Sequence, residues 1–151
     1  MSDVEELRAH LQNIARRAGD PRPAFREAGR IWRQAAVEHF ESEGGGQWQR
    51  WDDRYARMPH DWRGPGDFML RRTGELFASL TDVSHHQNVK RITETSLTIG
   101  GTRPTAILMH HGRGQSMPAR TPMPQPELFE DAWVNTYKRR ITGEDAGGLG
   151  A

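Results

Sequence analysis

Three consecutive glycines at 44–46 end the longest apolar-striped segment of the chain, and regular structure does not run through such a triplet. They divide the sequence into two unlike parts. Before them, Phe25, Ala28, Trp32, Ala35, Ala36 and Phe40 recur at helical spacing, which predicts a helix from about Pro23 to Glu43 with that stripe in a core. Further upstream Val4, Leu7, Leu11, Ile14 and Ala18 recur in the same way. Asp3, Glu5 and Glu6 occupy the first turn of this segment and Arg16 and Arg17 the last, the distribution that complements a helix dipole. Gly19, Pro21 and Pro23 then stop it, so residues 1–22 read as an N-terminal helix and linker.

After the glycines the periodicity fades. Residues 44–68 are rich in Trp and Arg and read as a long ordered loop, a feature that in a compact domain tends to serve function or a partner. Trp48, Trp51 and Trp62 then have two open roles: anchors for another subunit, since aromatic residues dominate interface hot spots, or a roof over a small core. Residues 68–80 suit a short helix or a strand and turn, with Gly74 as a structural turn that argues against an uninterrupted helix. The β-branched segment 87–99 predicts one or two strands, and Gly100, Gly101 and Pro104 a turn after them. Residues 105–111 form a short apolar element. Gly112 turns the chain into a loop whose prolines 118, 122, 124 and 126 favour extended backbone at an edge.

The final helix is the clearest. Pro126 stands where a first helical residue belongs, Glu127, Glu130 and Asp131 follow early, and Lys138, Arg139 and Arg140 close it. Phe129, Ala132, Trp133, Thr136 and Tyr137 are its expected inner face, Gly143 its stop, and 144–151 a disordered tail. The whole predicts a single α+β domain over 1–143: N-terminal helices, a small, mainly antiparallel sheet, long loops and a C-terminal helix.

Hydrophobic residues make up only 34% of the chain and mean hydropathy is −0.85, so the core must be small or completed by neighbours. With 21 basic and 20 acidic side chains, the net charge of +1 gives no global field toward nucleic acid or anionic membrane. Arg supplies 19 of the 21 cations, a bias that GC-rich coding explains more simply than phosphate recognition. The segment 85–120 is locally basic: Lys90, Arg91, Arg103, Arg113 and Arg120 against Glu94 leave +4. Such a patch suits DNA phosphates or an acidic partner, and equally a solvated sheet face. The absence of Cys excludes disulfides, thiolate zinc sites and Cys nucleophiles. No apolar run approaches the roughly 18 residues of a membrane span, and MSDVEELRAH lacks the apolar centre of a signal peptide, which predicts a soluble protein made in the cytoplasm.

No catalytic constellation emerges. The pairs His85–His86 and His110–His111 lack HExxH spacing or a companion acidic set, and adjacent side chains are expected to diverge. GRGQS at 112–116 lacks the Lys of a phosphate loop, and the adjacent carboxylates Asp52–Asp53 and Glu130–Asp131 suit solvation or capping. The expectation is therefore a protein that is not an enzyme, with no cofactor and no bound metal.

Several ordered motifs resemble the phage virion morphogenesis family, the tail-completion and head-to-tail joining proteins of tailed bacteriophages. The resemblance covers about residues 25–141. After a long helix comes a glycine and tryptophan segment with Gly46 and Trp48, then MLRRTGELFASL with Leu70, Thr73, Gly74, Leu76 and Ser79. A short apolar segment then ends in Gly112 and leads to the triplet Pro118, Ala119, Arg120 before the last helix. Met109 stands where the family has His, and residues 121–123 replace a Pro and an aromatic residue. The resemblance implies a virion protein of the neck or head-proximal tail end, with no catalytic residues to carry over. It would be a ring homo-oligomer, a hexamer, bound to head connector or neck proteins and to tail tube or terminator proteins, in passing contact with phage DNA and with no membrane. The candidate interface residues are then Trp48, Trp51, Trp62, Arg113, Met117, Pro118 and Arg120, with Arg120 making a charge-assisted bond that fixes a loop or an interface. A small nucleic-acid-binding protein using the basic 85–120 segment, with Trp as stacking platforms, is the alternative.

Overall fold

A computed structural model describes residues 3–50, 70, 73–112 and 119–144. In chain order these form α1 (Asp3–Gly19), α2 (Arg22–Glu41), α3 (Glu75–Thr81), β1 (Asn88–Ile92), β2 (Leu97–Gly101), α4 (Pro104–His111), a 3-10 turn (Pro126–Leu128) and α5 (Glu130–Thr142). The class is α+β, with five helices and a two-stranded antiparallel sheet among the described residues. No helix among them is long and apolar enough to cross a membrane.

α2 is the centre of the packing. Its stripe is buried as the spacing predicts, at Ala28, Trp32, Ala35, Ala36 and Phe40, and Ala24, Gly29 and His39 extend the covered face. Phe25 is only half-buried. Trp32, Phe40, Trp48, Leu76, Leu80 and Phe129 join the α2 alanines in one core cluster. Gly29 faces the hairpin: a Cβ there would stand in ordinary contact, 3.6 Å from Ile99 Cδ1 and 3.8 Å from the Lys90 stem.

Of residues 68–80, the described stretch from Glu75 onward forms a helix, α3, and no strand. Gly74 sits just before it at φ 74°, a left-handed conformation that L side chains disfavour, and so starts the helix. Leu76 and Leu80 enter the core, and Phe77 meets Phe40 edge-on with ring centroids 5.3 Å apart. Behind them Ser79 is fully buried; its hydroxyl donates to Leu76 O at 2.7 Å, and Asn88 Nδ2 donates to Ser79 O at 2.9 Å.

The segment 87–99 holds β1 and the start of β2, which runs on to Gly101. β1 and β2 pair from Asn88 opposite Gly101 to Ile92 opposite Leu97, closed by a tight turn in which Thr93 N donates to Ser96 O at 2.9 Å. The turn expected at Gly100, Gly101 and Pro104 falls elsewhere. Both glycines belong to β2, where a Cβ on Gly101 would meet Ser79 O at 3.1 Å, so the glycine serves close packing of strand on helix. Pro104 opens α4, whose Ile107 and Leu108 are exposed and which ends at Gly112 with φ 69°.

At the C-terminus Pro126 begins the 3-10 turn and not the α-helix, which starts at Glu130. Phe129 and Thr136 are buried, and Trp133 is half-buried with its Nε1 donating to Ala28 O at 2.9 Å, tying α5 to α2. Ala132 and Tyr137 face outward instead, because the covered arc of α5 is narrower than its apolar arc. Gly143 ends α5 at φ 88°. The tail expected at 144–151 lies outside the described residues from 145 onward.

α1 forms over the predicted residues but covers little. Val4 is 74% exposed and Leu7 58% exposed, and α1 meets the body through α5. Arg17 packs where a Cβ on Gly143 would have to go.

Candidate functional site

The most tightly specified feature is the meeting of the glycine turn with the proline loop. α2 ends when Glu43, Gly44, Gly45 and Gly46 all take left-handed φ, at 50°, 70°, 68° and 77°. Gly44 N donates back to His39 O at 2.8 Å and Trp48 N to Glu43 O at 3.1 Å, which folds the chain over its own helix end. Trp48 then lies edge-on to Phe40 and to His39, with centroids 5.4 and 5.3 Å away. A Cβ on Gly44 would run into the Trp48 indole, so glycine is required there for space as well as for φ.

Residues 119–122 close over this turn. Thr121 O accepts from His39 Nε2 at 2.8 Å and from Trp48 Nε1 at 3.2 Å. Arg120, only 3% exposed, donates from Nε to Gln49 O at 2.8 Å and from Nη2 to Arg50 O at 3.3 Å. Its own N–H donates to Met109 O at 2.7 Å, which links the same point to α4. Pro122 and Pro124 are buried alongside and present no N–H that would need a partner. A fixed guanidinium fork satisfying carbonyls of a neighbouring loop is a task for which Lys is a poor substitute.

Beside this junction an open cleft of ≈ 460 Å³ is lined by Glu38, His39, Ser42, Gly44, Gly45, Gln47, Gln125, Glu127 and Leu128. It holds no nucleophile and base pair. His39 Nε2 faces a carbonyl and so must carry the hydrogen, while Ser42 Oγ donates to His39 O and accepts from Gly45 N as part of the helix end.

A second polar cluster ties α3 to the hairpin. Glu75 Oε2 accepts from His85 Nε2 at 3.1 Å and from Arg103 Nη1 at 3.3 Å, and Arg103 Nη1 also donates to Gln87 Oε1 at 2.9 Å. His85 Nδ1 accepts from Gln87 N at 3.2 Å, so both ring nitrogens are engaged. Asp82 accepts from the Ser84 hydroxyl and N–H, which hold its carboxyl below the usual range. The His85 and His86 rings do not diverge as expected but stack with centroids 4.6 Å apart. No group of three metal-capable side chains occurs among the described residues.

Of the residues singled out in the sequence, Trp48 and Arg120 are brought together at the junction, Trp48 as a roof over the core at 7% exposure and Arg120 as the tie that fixes the loop. Gly74 and Gly112 both stand at turns with positive φ. Trp51, Trp62, Arg113, Met117 and Pro118 lie outside the described residues. The described cations of 85–120 do not form one face: Arg120 is buried, Arg103 is engaged with Glu75 and Gln87, and Lys90 and Arg91 are strand neighbours that point to opposite sides of the hairpin. His39 and Thr121 escaped the sequence reading. His39 was findable, since it falls on the apolar stripe three and four residues beyond Ala36 and Ala35; the Thr121 carbonyl had no side-chain signal. Comparison with known proteins adds no relative: no family model, no curated protein and no solved structure matches the chain.

Proposed function

We propose that this chain is a structural virion protein of a tailed bacteriophage, a ring-forming subunit that completes the tail and joins it to the head or neck. The observation that carries the proposal is the coincidence between the ordered motif residues and the places where the chain is most constrained. Gly46, Gly74 and Gly112 have left-handed φ, Trp48 is built into the core, and Arg120 is the buried tie between two loops. The remaining support is negative in kind but specific: His39, His85, Ser42 and Arg103 are committed to structural hydrogen bonds, leaving the fold's polar side chains to hold loops in place.

In this proposal the junction presents the glycine turn and proline loop as a preformed surface for the neighbouring subunit or for a connector protein, six copies closing the ring through heterologous contacts. Arg120→Ala in the phage should give separate heads and tails by electron microscopy. Infectious particles in normal yield would overturn the proposal. Because that variant also loosens the fold, imaging of the purified unmodified chain is the second arm: closed rings support a ring subunit. Monomers that bind DNA tightly at about 50 mM salt and release it steeply as salt rises would instead favour the nucleic-acid reading.

A further inference from the structure

α1 carries an apolar seam that the described chain leaves largely uncovered. Val4, Leu7, Leu11, Ile14 and Ala18 are spaced by three, four, three and four residues, the strict 3.5-residue repeat of a helix that packs along another helix. A surface helix that only leans on a globular core carries a wider stripe, as α2 does. Val4, Leu7 and Leu11 stand 74%, 58% and 56% exposed, Ala18 is exposed and Ile14 half-exposed. A 17-residue helix of this kind is marginal on its own in water, so a covering partner would stabilise the helix as well as bury the seam.

The charges indicate which partner. Residues 3–10 hold Asp3, Glu5 and Glu6 against Arg8, net −2; residues 11–19 hold Arg16 and Arg17, net +2. The two halves of one helix are equal and opposite. A second copy laid antiparallel places each acidic half on a basic half, whereas a parallel copy sets like on like. We propose that α1 is a self-association element, pairing antiparallel with α1 of a second copy of this chain through Val4, Leu7, Leu11 and Ile14.

The pairing is isologous and closes at two copies, so it is a contact distinct from the heterologous one that builds a ring, and it does not rest on the virion reading. Two heptads bury less than the roughly 1,200 Å² of a standard stable interface, so the expected pairing is weak and concentration-dependent, in the micromolar range.

Sedimentation equilibrium of the full chain from about 1 to 200 μM tests the proposal, and the expected result is a concentration-dependent rise from one copy to two, or the addition of twofold contacts to whatever ring forms. Leu11→Asp should remove that step, while Gln12→Asp, which adds the same charge off the seam, should leave it. Circular dichroism melting of both variants checks that the body of the fold is kept. Orientation is read by charge: Glu5→Lys with Glu6→Lys turns the first half to +2 and should weaken pairing about fivefold in low salt, with partial recovery on adding Arg16→Glu. A parallel pair would not respond to that swap. A wild-type chain that stays monomeric at 200 μM, or one whose twofold step survives Leu11→Asp, overturns the proposal. A ring that persists in Leu11→Asp while the twofold step is lost supports the pairing and leaves the virion reading intact; a ring whose twofold step also survives removes only the pairing.

Discussion

In α2 the apolar positions end fully covered, with Ala36 and Phe40 at 0% exposure, whereas in α1 Val4 and Leu7 of an equally regular stripe stand 74% and 58% exposed. Both segments form helices where their spacing says they should. What differs is the shape of the apolar face. The α2 face is broad and stepped: Trp32 and Phe40 project from a background of Ala28, Gly29, Ala35 and Ala36, so bulky groups of α3, α5 and the hairpin interlock with it. The α1 face is a narrow aliphatic line with one-sided charge on each half. Periodicity thus establishes that a helix has an apolar side; breadth and large-small alternation establish whether the same chain can cover it.

The sharpest way to break this comparison is Phe40→Ala. Phe40 touches both Trp48 and Phe77, and its removal should cost about 3–5 kcal/mol in urea unfolding, enough to unfold much of the population. A loss below about 1 kcal/mol would mean that α2 is not the centre of the core.

Next comes Arg120→Ala, expected to cost about 2–3 kcal/mol because the carbonyls of Gln49 and Arg50 lose charged donors in a buried setting. Arg120→Lys should recover less than half of that loss, since one ammonium cannot reproduce the fork. Full recovery would show that only the charge matters.

Gly44→Ala should cost about 1–2 kcal/mol for the left-handed φ, with a further red shift or intensity change in Trp48 fluorescence as the indole is displaced. At the bottom of the scale, Leu11→Ala measured at about 1 μM, where pairing is dissociated, should change stability by less than about 0.5 kcal/mol. A core-like loss at that position would show that α1 is covered by its own chain.

The helices were the legible part of the fold. α1, α2 and α5 follow from 3.6-residue spacing, end charges and the stops at Gly44 and Gly143. α3 was ambiguous because seven residues give too few turns for a period to register, and Gly74 looked like an interruption when it is the start. The Gly100–Gly101 turn was misplaced for a related reason: glycine marks either a bend or a close approach, and only the buried Ser79 behind β2 distinguishes them. The site was half legible. Trp48 and Arg120 stood out by residue type, but their partners are backbone carbonyls of Thr121, Gln49 and Arg50, and carbonyls carry no residue signature.

The bonds that hold the glycine turn join residues 70 to 82 positions apart. They therefore close loops of about half the chain and carry the loop-closure entropy of such spans. During synthesis α2 and the glycine turn emerge first, and the Trp48 indole N–H and the Gln49 carbonyl gain these partners only once Arg120 and Thr121 follow. The junction therefore needs residues 48–50 and 119–122 present together, and a chain cut back before Arg120 and Thr121 lacks one side of this lock.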